Sequence, residues 1–325
     1  MAQIPTRPKI LLTHPDIPKE AIDIMSPNCE IIMCTGRPSP SRQEILEKIV
    51  GVHGLMWCTK ERLDKEILDA AGPNIMAIST MSAGLDNVDL PEIRKRNIPI
   101  GYTAGVLNNA VADLTVGLMI ATARRFGEAR KHIENGTWGS GPSWFLGRNV
   151  SETTAGIVGL GEIGQTVARR LKAFNMTIIY TGHKKKPEAD EFDAEFVTMD
   201  ELLERSDFVI VICPLTPETR GMFDAEKFAK MKKSACFINV SRGDIVNQND
   251  LVKALTNNDI YAAGLDVMTP EPLPQDHPLL KLPNCVVLPH IGSATTQTRI
   301  DMATIAAYNI LQGISGDNMF APVPK

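Results

Sequence analysis

The amino-acid sequence predicts an α/β protein built from two doubly wound parallel sheets. Short, nearly continuous apolar runs alternate with polar stretches that carry apolar residues at helical spacing. The alternation occurs in two series, one before residue 107 and one from about residue 155 onwards. Strand and helix in alternation favour parallel sheets, and continuous apolar strands are typical of sheets that helices cover on both faces.

The first series predicts strands at residues 9–12, 30–33, 54–57 and 76–79, with helical spacing at 41–50 and 64–71. The second predicts strands at residues 155–158, 176–180, 208–213, 236–240, 261–265 and 285–288. A late apolar helix at 296–311 would return the chain to the first domain. We therefore predict one domain of residues 1–106 and 296–325 and another of residues 107–295, separated by a cleft.

The segment that joins the two series, residues 109–147, predicts a dimer interface. Asn109 would cap a helix that runs towards Gly136, and the first half of this helix is apolar all round. Such a helix is buried on more than one side. We expect the helix and the loop from Trp138 to Leu146 to form a homodimer interface. The alternative is burial between the two domains of one chain.

Composition restricts the class of protein. Hydrophobic residues make up 43% and charged residues 22%, and the formal net charge of -4 argues against a nucleic-acid partner. The six cysteines show no zinc-binding spacing, so we expect no metal site. We expect the cysteines to be free thiols. No apolar stretch approaches the ~18 residues of a membrane span, and no signal peptide is evident. These features predict a cytoplasmic protein without a membrane partner.

A glycine motif follows the first strand of the second series. Residues 159–164 read Gly-Leu-Gly-Glu-Ile-Gly and open a helical run. Between a strand and a helix, this pattern predicts a Rossmann-type dinucleotide site, because glycines allow a tight turn and helix amides then face the pyrophosphate. The candidate cofactor-binding residues here are Gly159, Gly161, Glu162, Ile163 and Gly164.

The residues after the next strand predict which cofactor is bound. An NAD enzyme places an acidic residue there to bond the ribose hydroxyls. This chain has no acid at that point and a cluster of cations instead, which favours the 2′-phosphate of NADP, with NAD still accepted. A solvated basic loop is the alternative. The candidate residues are Gly182, His183, Lys184 and Lys185.

Three later strands end in residues that could carry out hydride-transfer chemistry. Arg242 offers a fork of donors for a carboxylate, His290 can give a proton to a carbonyl oxygen, and Glu271 can hold the imidazole. Ligands of open parallel sheets bind beyond the carboxyl ends of the strands, so these side chains can converge. Together they predict the reduction of a small 2-keto acid.

These motifs resemble those of the D-isomer-specific 2-hydroxyacid dehydrogenases, in the glyoxylate reductase/hydroxypyruvate reductase branch. The resemblance covers essentially the whole chain. The stretches that carry it are residues 159–164, 237–244 (Phe-Ile-Asn-Val-Ser-Arg-Gly-Asp), 263–272 and 289–293 (Pro-His-Ile-Gly-Ser). It implies that residues 107–295 bind the dinucleotide, that the other domain binds substrate, and that the product is a D-2-hydroxy acid.

The resemblance also implies individual roles. Arg242 binds substrate, His290 donates the proton and Glu271 is its partner. Backbone amides of the loop containing Ala83 and Gly84 hold the substrate carboxylate, with Ser293 nearby. Further residues lie beside the cofactor, and the first of them contacts the nicotinamide carboxamide: Asp266, Pro214, Val240 and Gly292.

The chain departs from the branch at two places. The first cation at the ribose end is usually Arg and is here His183, with Lys184 and Lys185 as substitutes. Related reductases send a Trp into the partner's active site, and the spacing here leaves open Trp138, Trp144 or neither.

Three other activities fit the scaffold less well. An NAD-dependent relative such as 3-phosphoglycerate dehydrogenase predicts an acid at the ribose end. A formate dehydrogenase pairs its His with Gln rather than Glu. A dehydrogenase-like transcriptional corepressor usually carries extended tails.

Overall fold

A computed structural model of the chain describes residues 5–324. It divides into two compact units. Unit 1 extends to Leu107 and resumes at Ser293, and unit 2 is Asn108–Gly292. Each unit contains one sheet whose named strands all pair in parallel, so the predicted fold class is confirmed.

The strands and helices follow one another as the alternating pattern predicts. The strands are β1 (Lys9–Leu12), β2 (Glu30–Met33), β3 (Gly54–Trp57), β4 (Ala77–Thr80), β5 (Ile100–Gly101), β6 (Thr154–Val158), β7 (Thr177–Thr181), β8 (Glu195–Phe196), β9 (Phe208–Val211), β10 (Cys236–Asn239), β11 (Ala262–Leu265) and β12 (Cys285–Val287). The helices are α1 (Lys19–Met25), α2 (Arg42–Lys48), α3 (Lys65–Ala71), α4 (Leu90–Lys95), α5 (Asn108–Ala123), α6 (Phe126–Glu134), α7 (Glu162–Lys172), α8 (Met199–Arg205), α9 (Ala225–Lys230), α10 (Gln248–Thr256) and α11 (Thr296–Ser315).

Unit 1 has the strand order β2-β1-β3-β4-β5. Alternate side chains of its strands enter two apolar clusters, one on each face of the sheet. In β3, Leu55 and Trp57 belong to one cluster and Met56 to the other. The late helix α11 covers the second cluster through Ala303, Ala306 and Ile310.

Unit 2 has the strand order β12-β11-β10-β9-β6-β7-β8, so the direction of winding reverses beside β6. Helices cover both faces, and β9 and β10 are buried throughout. In open sheets of this kind the ligand site lies at the carboxyl ends of the strands near the reversal. The loops that follow β6, β7, β9, β10, β11 and β12 are therefore the candidate site.

One predicted helix is wrong in its extent. The single helix expected from Asn109 to Gly136 is two helices, α5 and α6, because Arg125 adopts a left-handed backbone conformation with φ of 55°. The apolar helix α5 packs on α7 and β11 of its own unit. No helix within residues 5–324 is both long and apolar enough to cross a lipid bilayer.

Candidate active site

Three glycines shape the turn between β6 and α7, and each meets a different requirement. Gly159 has φ of 101°, and a Cβ there would lie 2.9 Å from the backbone of Cys213. A Cβ on Gly164 would collide with the carbonyl oxygen of Gly159. Gly161 has an ordinary φ of −79° and open space where a Cβ would lie. Since neither the backbone nor packing requires glycine at 161, its open side fits the close approach of a pyrophosphate.

The amino end of α7 fits the same ligand. Gly161 is its N-cap residue and supplies no side-chain acceptor to the first turn. Side chains do cap α2, α3, α4, α8, α9, α10 and α11. Uncapped amides and the positive end of the helix dipole favour phosphate. Of the two other motif residues, Glu162 accepts a 2.9 Å hydrogen bond from Asn108, and Ile163 packs against the core of unit 2.

The loop after β7 is exposed and cationic. The backbone N–H of Lys186 donates to the Tyr180 hydroxyl at 2.8 Å, which closes the loop over the end of the strand. Glu218 lies close enough for the charge of His183 to help lower the pKa of its carboxyl, although a hydrogen bond from Thr216 is the larger cause. Four exposed residues, with three side chains able to carry positive charge, can thus meet a phosphate: Gly182, His183, Lys184 and Lys185.

Pro214 and Val240 lie just after the neighbouring strands β9 and β10. The carbonyl of exposed Pro214 accepts a 2.8 Å hydrogen bond from the Thr219 hydroxyl. The Ser241 hydroxyl donates to the Cys213 carbonyl and so joins the two strand ends. Half-buried Val240 packs against the core. Both predicted residues therefore border the same edge of the sheet as the glycine turn.

The turn that presents Arg242 is braced by a buried amide. Asn239 is the last residue of β10 and is buried. Its Oδ1 accepts from the backbone N–H of Ser241 at 3.1 Å, and its Nδ2 donates to the carbonyl of Arg242 at 2.9 Å. The Arg242 guanidinium also donates to the Ser241 carbonyl at 2.9 Å. These bonds set the direction in which the half-buried side chain leaves the sheet.

The structure brings Glu271 and His290 together. The Nδ1 of His290 lies 2.8 Å from Oε2 of Glu271, and the side chains are 39% and 13% exposed. The other carboxylate oxygen accepts a 3.0 Å hydrogen bond from the backbone N–H of Met268. The carboxylate is therefore held from both sides, and the Nε2 edge of the ring is left for a substrate oxygen.

Asp266 holds the backbone after His290. It is 1% exposed, and its two oxygens accept from the backbone N–H groups of Ile291 and Gly292, both at 2.8 Å. Burial raises the pKa of this carboxyl, although the two hydrogen bonds and the charge of His290 oppose the rise. His290 itself has a left-handed φ of 57°, a conformation that needs such support. Besides any contact with nicotinamide, Asp266 thus orients the imidazole.

A second set of contacts fixes the loop that carries the acidic partner of the imidazole. Gln248 clamps Thr269, accepting from its N–H at 3.1 Å and donating to its carbonyl at 2.7 Å. The Thr269 hydroxyl donates to Asp244 at 2.6 Å. A Cβ on Gly243 would collide with the Met268 carbonyl, so the loops after β10 and β11 touch directly.

The predicted substrate loop lies in unit 1, after β4. The Ser82 hydroxyl donates to the Gly84 carbonyl at 2.8 Å, and the N–H of Thr103 donates to the Ser82 carbonyl at 3.0 Å. Ala83 and Gly84 are half-buried in this braced loop. Ser293, also half-buried, is the residue at which the chain re-enters unit 1.

Comparison with known proteins decides the family. Residues 116–292 match the family model described as the D-isomer specific 2-hydroxyacid dehydrogenase, NAD binding domain. This chain belongs to the D-isomer specific 2-hydroxyacid dehydrogenase family.

Its relatives resemble it over nearly its whole length. A glyoxylate reductase/hydroxypyruvate reductase of Mus musculus is 49% identical over 316 residues, 96% of each chain. One of Homo sapiens is 50% identical over 296 residues, 90% of each chain. A crystal structure of an NADPH-dependent glyoxylate/hydroxypyruvate reductase of Sinorhizobium meliloti, in complex with NADP and malonate, is 29% identical with a TM-score of 0.84, covering 98% of this chain and 97% of that one.

Two positioning residues of this dehydrogenase were absent from the sequence-based prediction. Asn239 holds the backbone of Arg242, and Gln248 holds the backbone of Thr269 in the loop that carries Glu271. A signal for Asn239 did exist, since it is a polar residue at the end of an apolar strand. Gln248 lies in the first turn of α10, where polar residues are common, and nothing local marks it.

Proposed function

We propose that this dehydrogenase reduces glyoxylate or hydroxypyruvate to the 2-hydroxy acid, which for hydroxypyruvate is the D isomer, with NADPH as the preferred cofactor. The observation that carries the proposal is the 2.8 Å pair of His290 and Glu271 at the same sheet edge as the glycine turn. The names of the mammalian relatives, glyoxylate reductase/hydroxypyruvate reductase, support the choice of substrate.

The residues divide the chemistry among them. When bound, the nicotinamide cofactor supplies the hydride that reaches C2 of the keto acid. Arg242 binds the substrate carboxylate through its guanidinium fork. His290 gives the proton from Nε2 to the carbonyl oxygen, so that the ketone becomes an alcohol. The Glu271 carboxylate orients the ring and stabilises its charged form before the transfer.

Replacement of His290 tests the mechanism. We expect His290→Ala to lower kcat for hydroxypyruvate by at least about a hundredfold, because the proton donor is lost. NADPH binding, followed by fluorescence, and the melting temperature should stay near wild type. Near-native turnover would remove His290 from this role.

The preference for NADPH rests on the cations after β7. We expect Lys184→Ala/Lys185→Ala to raise the KM for NADPH about tenfold and to leave the KM for NADH unchanged, since only NADPH carries the 2′-phosphate. Lys233→Ala is the matched control, because Lys233 is exposed elsewhere in unit 2. An equal effect on both cofactors would contradict the assignment.

A homodimer is proposed from the segment that follows α5. Five large apolar side chains between residues 126 and 146 are exposed, among them Trp138 at 71%: Phe126, Ile133, Trp138, Trp144 and Leu146. Exposed apolar patches of this kind mark protein interfaces. Trp144 packs against His132 and Phe145, which leaves Trp138 as the better candidate to reach a second copy.

Sedimentation velocity tests the dimer. Ile133→Glu should give monomers, whereas Val50→Glu, at an exposed apolar position of unit 1, should not. A monomeric wild-type chain would refute this interface.

Cytoplasmic location stays a prediction, which cell fractionation would test.

A further inference from the structure

Arg299 occupies a position of α11 that the helical pattern assigns to an apolar side chain. The face of α11 towards the sheet carries Ala303, Ala306 and Ile310, all fully buried. Residues three to four apart share one helix face, and Arg299 is the next position of this stripe towards the amino end. Its side chain is half-buried rather than exposed.

This end of the stripe lies at the edge of the unit 1 sheet where the carboxyl ends of the strands meet. A Cβ on Gly54, where β3 begins, would contact Ile310, and Asn309 donates to the hydroxyl of Ser79 in β4 at 3.2 Å. A Cβ on Gly313 would meet Ala77, where β4 begins, so helix and strands run in opposite directions. From Ile310 to Arg299 the helix covers about 16 Å.

That length brings Arg299 to the carboxyl end of β3, because the extended chain from Gly54 to Cys58, the residue after β3, covers about 13 Å. Cys58 packs against the same apolar cluster as Ala303. Burial raises the pKa of its thiol to about 12, and the nearby charge of Arg299 opposes this rise. Met81, which precedes the loop of Ala83 and Gly84, packs against that cluster too.

The guanidinium has no acceptor among residues 5–324. No described carboxylate lies near enough to raise the pKa of the guanidinium, and burial lowers that pKa from the ordinary arginine value. A desolvated charge without a partner is costly, and such groups in proteins are normally paired. An acceptor from outside the protein would remove this cost.

We propose that Arg299 binds the second, distal carboxylate of a short dicarboxylic ligand, in the class of malonate and of the 2-keto acid oxaloacetate. The inference rests on the proposed function and on the predicted role of the loop after β4, whose backbone amides hold the first carboxylate. Neighbouring strand ends are about 4.8 Å apart, a separation that two acid groups with one or two carbon atoms between them can span. The Sinorhizobium meliloti relative was solved with malonate.

Malonate binding to the full-length protein, measured by titration calorimetry, tests Arg299 without any turnover. Arg299→Met should weaken binding at least about tenfold, whereas Arg299→Lys, which keeps the charge, should weaken it less. Arg94→Gln is the control, because it removes an exposed guanidinium from α4 of the same unit. Binding by Arg299→Met within twofold of wild type, or no binding by wild type, would overturn the proposal.

Kinetics separate the distal carboxylate from the reacting one. In Arg299→Met, kcat/KM for oxaloacetate should fall about tenfold while that for glyoxylate, which has a single carboxylate, stays within about twofold. An equal fall for both would overturn the distal assignment. Failure of the wild type to reduce any 2-keto acid would refute the proposed function, and the malonate titration would still test Arg299.

Stability gives an independent outcome. Because methionine replaces an unpaired charge with an apolar chain of similar length, the melting temperature of Arg299→Met should equal or exceed that of wild type. A clearly lower melting temperature would show that the fold uses the guanidinium, and would overturn the proposal.

Discussion

Replacing Asp266 with Asn should weaken the hydrogen bonds that hold the backbone beside His290. The wild-type carboxylate is buried and accepts two 2.8 Å hydrogen bonds, from Ile291 and Gly292. An amide side chain has only one acceptor oxygen, so its NH₂ group would face one of the two backbone donors. The change leaves the shape of the side chain almost unaltered and removes one hydrogen-bond acceptor and the negative charge.

The magnitude follows from those contacts. One hydrogen bond to a charged group is lost, which costs about 1.5–3 kcal/mol, and one buried N–H is left unsatisfied, at a further cost of about 1–3 kcal/mol. Removal of a buried charge offsets part of this, because burial disfavours the ionised carboxyl. We expect a net loss of about 2 kcal/mol, or about 4–8 °C in the melting temperature of a unit of this size.

Calorimetry and steady-state kinetics check the prediction together. Asp266→Asn should also lower kcat for hydroxypyruvate about tenfold to a hundredfold, since displacement of the imidazole by about 1 Å has that effect. Asp193→Asn is the control, because Asp193 is exposed and forms a surface ion pair with Lys172 in the same unit. A melting temperature within 1 °C of wild type together with unchanged kcat would refute the reasoning.

The same substitution has a pH signature. Burial raises the pKa of Asp266 above the ordinary value of 3.8, so the folded chain binds this proton more tightly than the unfolded chain. The stability contributed by the protonated form is complete below 3.8 and is lost as pH rises through the raised pKa. The stability advantage of wild type over Asp266→Asn should therefore shrink across that window and stay constant above it.

Two further predictions concern the partner of the imidazole and the glycine turn. Glu271→Gln keeps the hydrogen bond from Met268 but loses the charge, so kcat should fall about a hundredfold with little change in melting temperature, and kcat within twofold of wild type would contradict it. Gly161→Ala should raise the KM for NADPH about tenfold without destabilising the fold, whereas Gly164→Ala should lower the melting temperature, because its Cβ would meet the carbonyl of Gly159. Equal NADPH affinity in wild type and Gly161→Ala would show that no ligand approaches there.

Most of the fold could be predicted because each buried parallel strand corresponds to a short apolar run in the sequence. The bounds of β1, β2 and β3 agree with the predicted ranges. The two-residue edge strands β5 and β8 were not predicted, since only hydrogen bonds to a neighbour define such short segments. The break between α5 and α6 was also missed, because no glycine or proline marks Arg125 as a left-handed residue.

For the site, the spacing of residues within one segment predicted their role. Contacts between residues of different segments could not be predicted. The glycine turn is contiguous in sequence, so its motif and its role are read together. Glu271 and His290 are candidates by residue type and by their place after strands, but their 2.8 Å contact depends on how β11 and β12 lie side by side. The brace from Asn239 and the clamp from Gln248 depend on the same packing.

By itself, then, the order of residues determined the class of fold, the dinucleotide turn and the set of chemically able side chains, because each depends on periodicity or on neighbours along the chain. Tertiary structure alone decided which carboxylate meets the imidazole, which amides hold Asp266 and that Arg299 has no partner within residues 5–324. The physical reason is that hydrogen bonds and desolvation act over a few ångströms in space, and only chain packing sets those distances.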